Sequence, residues 1–235
     1  MKRKLSLLSL LLLLASALIG YQYGGKHHGH DNAVVKGVST NNLLAISWQN
    51  AFCQTHRNRR ECRNVKPSHF TASHFTLHGL WPQPRSRVNC RGPKKVYLPK
   101  ALYQELLHVM PAAKSGLHRH EWKKHGTCYG KSPEGYFRDA IGLLHEINDS
   151  PVRDLFARNI GKKVTIEQVR FAFDRAFGRG SGRKVKMLCN RGLVTELWIN
   201  LKGKIEPGVS LAELMKKAPA ARGGCRSGIV DAAGF

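Results

Sequence analysis

The sequence of 235 residues is poor in acidic side chains, with 15 Asp and Glu against 39 Lys and Arg. The few carboxylates are scattered along the chain, so no cluster that would bind a divalent metal ion is evident. No two cysteines have the C-x-x-C spacing that is typical of cytosolic metal and redox sites. There is also no internal repeat and no linker, which favours one domain of ordinary size. These absences count against a metal-dependent enzyme and against a multidomain architecture.

The formal net charge of +24 indicates a polyanionic partner. A surface this basic attracts nucleic acids and anionic membranes through long-range electrostatics. The charge alone does not choose between these two partners.

Residues 1–20 have the pattern of a secretory signal peptide. A basic start is followed by a leucine-rich segment at 5–19 and by Ala15-Ser16-Ala17, which fits a cleavage site. The apolar segment is shorter than a typical membrane span, although an uncleaved anchor is the alternative. We therefore expect export to a periplasm or to the medium. The segment 21–41 is predicted to be mobile, and its histidine cluster at 27–30 either is solvated or binds copper or nickel loosely.

All six cysteines follow the predicted signal, and an even number in an exported chain predicts three disulfides. Cys53 and Cys62 bracket an arginine-rich loop that is short enough for a local bond. Cys225 lies near the end of the chain, where a bond to Cys189 would tie the tail to a strand.

The hydrophobic pattern after Asn42 predicts a single α+β domain at 42–235. Short apolar runs predict strands at 43–48, 75–77, 185–188 and 194–199. Amphipathic periodicity and capping signals predict helices at 99–110 and 133–147, after Pro151, after Thr165 and after Ser210.

The stretch 120–128 concentrates titratable side chains. On a helix, Glu121 and His125 lie four residues apart on one face, as do His120 and Lys124. An acid, a base and a fixed cation on one surface suit a site that moves protons beside an anion. The two histidines are five residues apart, whereas the His-Glu-x-x-His zinc motif needs four, so they point to different sides of a helix. A solvated charged helix is the remaining alternative.

A further histidine, His78, follows the predicted strand at 75–77 and precedes Gly79-Leu80-Trp81-Pro82. Glycine and proline are typical of turns, so we expect His78 at the end of a strand, where it would line a cleft. A histidine that is satisfied within the core is the alternative.

Together, the segments 75–82 and 120–128 resemble the two signature segments of the ribonuclease T2 family, and their order and separation fit as well. The resemblance covers roughly Leu43 to Cys225 and includes Ile46-Ser47-Trp48 and the cysteine pattern. It implies an α+β fold with a central, mainly antiparallel sheet and flanking helices. It also implies endonucleolytic cleavage of RNA with little base preference and without a metal ion or another cofactor.

The resemblance further implies a role for each candidate residue. His78 and His125 would be the acid and base histidines, His120 would hold the phosphate, and Glu121 and Lys124 would lie beside the scissile group. The implied disulfide pairs are Cys53–Cys62, Cys90–Cys128 and Cys189–Cys225.

The chemistry is consistent with this resemblance. Cleavage of RNA needs a base for the 2′-OH proton and an acid for the leaving 5′-oxygen, and two histidines of opposite protonation state supply both. We expect a 2′,3′-cyclic phosphate that is later opened to a 3′-phosphate, and no cleavage of DNA, which lacks the nucleophile. The mature protein is expected to be a monomer without stable membrane association.

The base-binding residues are not evident from the sequence. Trp81 either stacks on a base or lies in the core, and the loop 83–87 has no acidic residue that would read a base edge. Two other functions stay open: a basic binding module that keeps the fold without turnover, and a metal-dependent phosphodiesterase.

Overall fold

A central sheet organises the part of the chain that the computed structural model describes, residues 37–234. The predicted signal at 1–20, the histidine cluster and most of the predicted segment 21–41 lie outside the described residues. The six strands of the sheet are β1 (Asn41–Ser47), β2 (Thr76–Pro82), β3 (Lys163–Thr165), β4 (Val185–Asn190), β5 (Leu193–Lys202) and β6 (Ser227–Ile229). The prediction of an α+β fold with a mainly antiparallel sheet is confirmed.

Strand β1 is an interior strand of this sheet, next to the β2 edge. It pairs antiparallel with β2 on one side and with β5 on the other, and β4 pairs antiparallel with β5. The short strands β3 and β6 pair with each other, and β6 joins β5 in parallel at a single residue pair. Consecutive residues of a strand point to opposite faces of the sheet, and Leu44, Ala45 and Ile46 are all fully buried, so both faces of β1 are covered.

Seven α-helices flank the sheet within the described residues. They are α1 (Gln49–Thr55), α2 (Lys100–Val109), α3 (Leu117–Lys124), α4 (Pro133–Asn148), α5 (Pro151–Arg158), α6 (Ile166–Phe177) and α7 (Leu211–Lys216). The predicted helices are confirmed, and the Thr165 and Ser210 capping boxes form as expected. Helix α1 was not predicted, since Trp48 provides no side-chain cap at its start.

The prediction that His78 ends a strand is wrong. Strand β2 continues through Gly79 to Pro82, because pairing with β1 outweighs the local tendency of glycine and proline to form turns. Pro82 is tolerated because β2 is an edge strand. The outer edge of β2 is covered by helix α4, whose Tyr136 hydroxyl accepts from the Leu80 N–H at 3.3 Å and donates to the Leu80 carbonyl at 2.9 Å.

The described residues contain three disulfides, as the even number of cysteines predicts. They join Cys53 to Cys62, Cys90 to Cys128 and Cys189 to Cys225. This is also the pairing that the resemblance implies. In the part of the chain described, no helix is long and apolar enough to cross a membrane.

Candidate active site

His78 occupies a bulge between β1 and β2. Ala45 pairs with Gly79 and Ile46 pairs with Leu77, so His78 is an extra residue in the ladder. Bulges of this kind redirect a side chain. The imidazole of His78 reaches Glu196 on β5, and its Nδ1 lies 2.6 Å from the carboxylate Oε1. The bulge therefore places the histidine on the face of the sheet that carries Glu196.

Helix α3 supplies the second group of side chains. His120, Glu121 and Lys124 lie on the helix, and His125 is its C-terminal cap residue, whose N–H donates to the Glu121 carbonyl at 2.9 Å. Glu121 and His125 are buried, whereas His120 and Lys124 are exposed. The helix thus presents two shielded groups and two accessible ones at the same end.

Trp122 anchors the buried side of helix α3. Its indole Nε1 donates to the Pro93 carbonyl at 2.6 Å, and its ring packs edge-on against Tyr136. A Cβ atom at Gly126 would lie 2.2 Å from the Trp122 ring. Only glycine therefore lets the chain turn back directly after His125, and this turn fixes the position of that imidazole.

The carboxylate of Glu121 lies against the backbone of β2. Its Oε2 accepts from the Trp81 Nε1 at 2.6 Å, and its Oε1 lies 3.9 Å from the His78 Nε2. A Cβ atom at Gly79 would lie 2.1 Å from this Oε2. Gly79 is thus required for the close approach of the carboxylate to the strand.

Trp81 lies between the two candidate acid and base histidines. Its ring stacks on His125 with centroids 5.2 Å apart and an interplanar angle of 27°. It meets His78 edge-on at the same separation. Trp81 is therefore half-buried among the site residues, and it orients Glu121 through its N–H. Stacking of Trp81 on an RNA base stays a prediction.

The two histidines have opposite pKa shifts. Burial alone would lower the pKa of His78, but the hydrogen bond and charge of Glu196, with the charge of Glu121, outweigh it and raise the pKa above 6.5. Burial, followed by the charges of Lys124 and of the other two site histidines, lowers the pKa of His125 to about 3. At neutral pH, His125 is therefore neutral, and His78 holds its proton more strongly than an ordinary histidine.

The neighbouring groups are shifted as well. Burial, with the charge of Lys124, lowers the pKa of His120. Burial raises the pKa of Glu121, and this effect outweighs the opposing influence of His78, the Trp81 hydrogen bond and Lys124.

Two cavities meet at these side chains. The first has a volume of about 360 Å³, and among the residues that line it are Trp81 and all five predicted catalytic residues, His78, His120, Glu121, Lys124 and His125. The second, of about 410 Å³, shares only His78 and His120 with the first. The structure thus brings the predicted site residues together, and their individual roles stay predictions.

Glu196 and Trp198 were missed by the sequence reasoning. Glu196 accepts from the Trp198 Nε1 at 2.6 Å through its Oε2, and its Oε1 is bonded to His78. The two residues flank buried Leu197 on β5, so strand alternation could have placed both on one polar face. The order of the strands, which sets β5 two positions from β2, is not visible in the sequence.

The loop after β2 is fastened to helix α3. Its Asn89 N–H donates to the Lys124 carbonyl at 2.8 Å, next to the Cys90–Cys128 disulfide. Arg85 in this loop lines the first cavity, and its guanidinium carbon lies 5.1 Å from the centroid of the Trp198 ring. Within residues 37–234, no group of three or more His, Cys, Asp and Glu side chains is arranged to hold a metal ion.

The sequence is similar to those of known ribonucleases. The model of the ribonuclease T2 family matches residues 40–208. Ribonuclease I of Escherichia coli is 33% identical over 198 residues, which cover 68% of this chain and 74% of that protein. Ribonuclease T2 of Sus scrofa is 27% identical over 172 residues, which cover 64% of this chain and 86% of that protein.

Solved structures share the fold. An RNase-related protein from Calystegia sepium has a TM-score of 0.56 at 15% identity, with 85% of this chain and 100% of that chain covered. RNase NT in complex with 5′-AMP has a TM-score of 0.53 at 18% identity, with 83% and 98% covered. The chain belongs to the ribonuclease T2 family. It is an endoribonuclease, and its substrate is RNA, as the two signature segments predict.

Proposed function

We propose that the protein cleaves single-stranded RNA by transesterification without a metal ion. The products would be a 2′,3′-cyclic phosphate and then a 3′-phosphate. The main support is the opposite pKa shift of His78 and His125, which flank Trp81 in one cavity. A pair of this kind provides a neutral base and a protonated acid at the same pH.

In the first step, neutral His125 takes the proton of the 2′-OH. The 2′-oxygen attacks phosphorus, and the bond from phosphorus to the 5′-oxygen breaks. Protonated His78 gives its Nε2 proton to that leaving oxygen. In the second step the roles of the two histidines reverse. His78 takes a proton from water, and the water oxygen attacks phosphorus. The bond from phosphorus to the 2′-oxygen breaks, and His125 gives its proton to that oxygen.

Glu196 acts as a positioning residue for His78. Its 2.6 Å bond holds the proton on Nδ1, so that the second proton of the imidazolium is on Nε2, which faces the substrate. Its charge also raises the pKa of His78, so that His78 stays protonated to a higher pH than an ordinary histidine. Both effects keep the acid ready for the leaving group.

Lys124 and His120 are placed to stabilise the phosphate. Both are exposed and both line the cavity that holds the acid and base histidines. Cationic and N–H donors at a fixed position stabilise the charge that grows on the non-bridging oxygens. Glu121 lies 3.9 Å from the His78 Nε2 and carries the negative charge that favours the protonated imidazole.

The two cavities suggest where the nucleosides bind. His125 lines only the first cavity, so we assign that cavity to the nucleoside whose 2′-OH is deprotonated. The second cavity contains His78 and Glu196, so we assign it to the leaving nucleoside, which is 3′ to the scissile bond. Little base preference is expected in the first cavity, since the loop 83–87 has no acidic side chain and an aromatic surface accepts any base.

The proposal is tested by digestion of RNA, and of DNA with the same sequence, in the presence of EDTA. RNA should be cut to fragments that first end in a 2′,3′-cyclic phosphate, and DNA should stay intact. A His125→Ala protein, purified in the same way, is the control against contaminating ribonuclease. Loss of cleavage on chelation, with recovery on addition of a divalent ion, would contradict the mechanism.

We also propose that the protein is exported and acts as a monomer without stable membrane association. Three disulfides are typical of an oxidising compartment, and 1–20 has the pattern of a secretory signal. The mass of the protein recovered from a cell fractionation should correspond to a chain without this segment. Size-exclusion chromatography should give one monomeric peak.

A further inference from the structure

A buried carboxylate lines the second cavity. Glu61 lies in a short 3-10 turn, Arg60–Cys62, directly before a disulfide-bonded cysteine. It is only 7% exposed, yet it forms part of the wall that also contains His78 and His120. The chemistry proposed above for the phosphate does not use this residue.

Glu61 has few partners for a buried anion. The Ser115 hydroxyl donates to its Oε2 at 2.5 Å, and no Lys, Arg or His side chain among residues 37–234 forms an ion pair with it. A carboxylate has about four acceptor positions, and burial of a charge is costly unless donors satisfy it. The wall of the second cavity therefore contains an acceptor that has capacity for further N–H donors.

We propose that Glu61 reads the base on the 3′ side of the scissile bond and favours guanine. This inference rests on the proposed function, which assigns the second cavity to the leaving nucleoside. Guanine presents N1–H and N2–H side by side, and these two donors match the two oxygens of a carboxylate. Single-stranded RNA exposes this Watson–Crick edge for such readout.

The other bases fit this carboxylate less well. Adenine and cytosine each offer one amino group on this edge, so they can make part of the contact. Uracil offers one N–H between two carbonyl oxygens. These oxygens would face the negative charge of Glu61, and the carboxylate would lack a second donor. The expected order is guanine first and uracil last.

The same cavity contains an aromatic surface. Phe52 is half-buried in its wall, and its ring stacks on His56 with centroids 4.1 Å apart and an interplanar angle of 5°. This stacking holds the phenyl ring in a fixed orientation, which suits a base that packs on an aromatic side chain. The volume of about 410 Å³ lies within the range of ligand sites. If Glu61 selects the base on the 3′ side, the low base preference expected for the protein applies only to the nucleoside on the 5′ side of the scissile bond.

The test compares kcat/KM for the dinucleoside phosphates CpG, CpA, CpC and CpU, which differ only in the 3′ base. The wild-type protein should cleave CpG about tenfold faster than CpU. Glu61→Gln should bring the CpG to CpU ratio close to one, because the amide replaces one acceptor with a donor. Ser115→Ala is the matched control, since it breaks the same hydrogen bond but keeps the carboxylate, and the ratio should be retained.

A wild-type ratio close to one would overturn the inference, and so would an unchanged ratio in Glu61→Gln. An equal loss of the ratio in both variants would also overturn it, because Glu61 would then be a structural tie. Absence of cleavage of all four dinucleotides would instead contradict the proposed function. Calorimetry of 5′-GMP and 5′-UMP binding tests the inference independently of turnover. Tighter binding of 5′-GMP than of 5′-UMP, with the difference abolished in Glu61→Gln, supports the inference. Equal affinity of the wild-type protein for the two nucleotides overturns it.

Discussion

His78 and Glu196 are joined by a 2.6 Å hydrogen bond between two strands that are not neighbours, and they lie 118 residues apart in sequence. Strand β1 separates their strands in the sheet. The contact exists because the bulge in β2 turns the imidazole toward β5 and because the Trp198 N–H fixes the carboxylate. The bond links the architecture of the sheet to the protonation state of His78.

Removal of the charge in Glu196→Gln should move the alkaline limb of the kcat/KM profile to lower pH. His78 must be protonated to act as an acid, so activity falls as the pH rises through its pKa. Glu196 raises this pKa, and its loss therefore lowers the pH at which activity is lost. Trp198→Phe removes the indole donor that holds the carboxylate but keeps the negative charge, so it should shift the alkaline limb less than Glu196→Gln does. An alkaline limb at the same pH in wild type and Glu196→Gln would contradict the assigned role.

The histidines should separate by kinetic effect. His78→Ala and His125→Ala should each reduce kcat by about 10²–10⁴-fold, as expected for loss of a general acid or base. His120→Ala should raise KM in addition to its effect on rate, because its exposed imidazole is assigned to the phosphate. Steady-state kinetics on one RNA substrate measures all three. Near wild-type turnover in His78→Ala or His125→Ala would refute the pair.

Much of the fold could be predicted because its signals are local. The capping residues before α4, α6 and α7, and the apolar stripe of α2, determine these helices from nearby residues. The end of β2 could not be predicted, since its continuation through Gly79 depends on pairing with β1. Helix α1 could not be predicted either, because it begins without a side-chain cap that would mark its start.

The candidate site shows the same division. The residues of helix α3 are close in sequence, so their common surface could be predicted from helical spacing. Glu196 and Glu61 are brought to the site by the order of the strands and by the packing of a disulfide loop on Ser115. Neither contact has a signal in the local pattern of the chain.

The Cys90–Cys128 disulfide should be coupled to activity, whereas Cys189–Cys225 should not. The two bonds close similar lengths of chain, with separations of 38 and 36 residues, so replacement of either pair by serine should cost a similar stability of about 2–4 kcal/mol. Of the two bonds, Cys90–Cys128 is the one that holds the 3-10 turn Gly126–Cys128, which directly follows His125. Denaturant unfolding measures the stability, and assays well below both transitions measure the activity. Equal activity losses in the two double variants would contradict the coupling.

Two glycines should respond in opposite ways to alanine. Gly79→Ala places a Cβ atom against the buried Glu121 carboxylate, so it should destabilise the protein by about 1–3 kcal/mol and lower activity more than its stability loss explains. Gly142 lies in helix α4, and an added Cβ atom would have nothing within 4 Å. Gly142→Ala should therefore stabilise the protein by about 0.5–1 kcal/mol. Thermal unfolding and kcat measure both effects. A harmless Gly79→Ala would mean that Glu121 can move away from the strand.

The protonation states of the two histidines are the centre of this account, and an NMR titration of the imidazole ring signals measures them directly. His78→Ala and His125→Ala proteins identify the two signals among the 12 histidines. The signal of His78 should titrate above pH 6.5, and that of His125 should show no protonation between pH 8 and pH 5, since its pKa is about 3. A His125 signal that titrates near pH 6.5, or a His78 signal that is already neutral there, would contradict the assignment of base and acid.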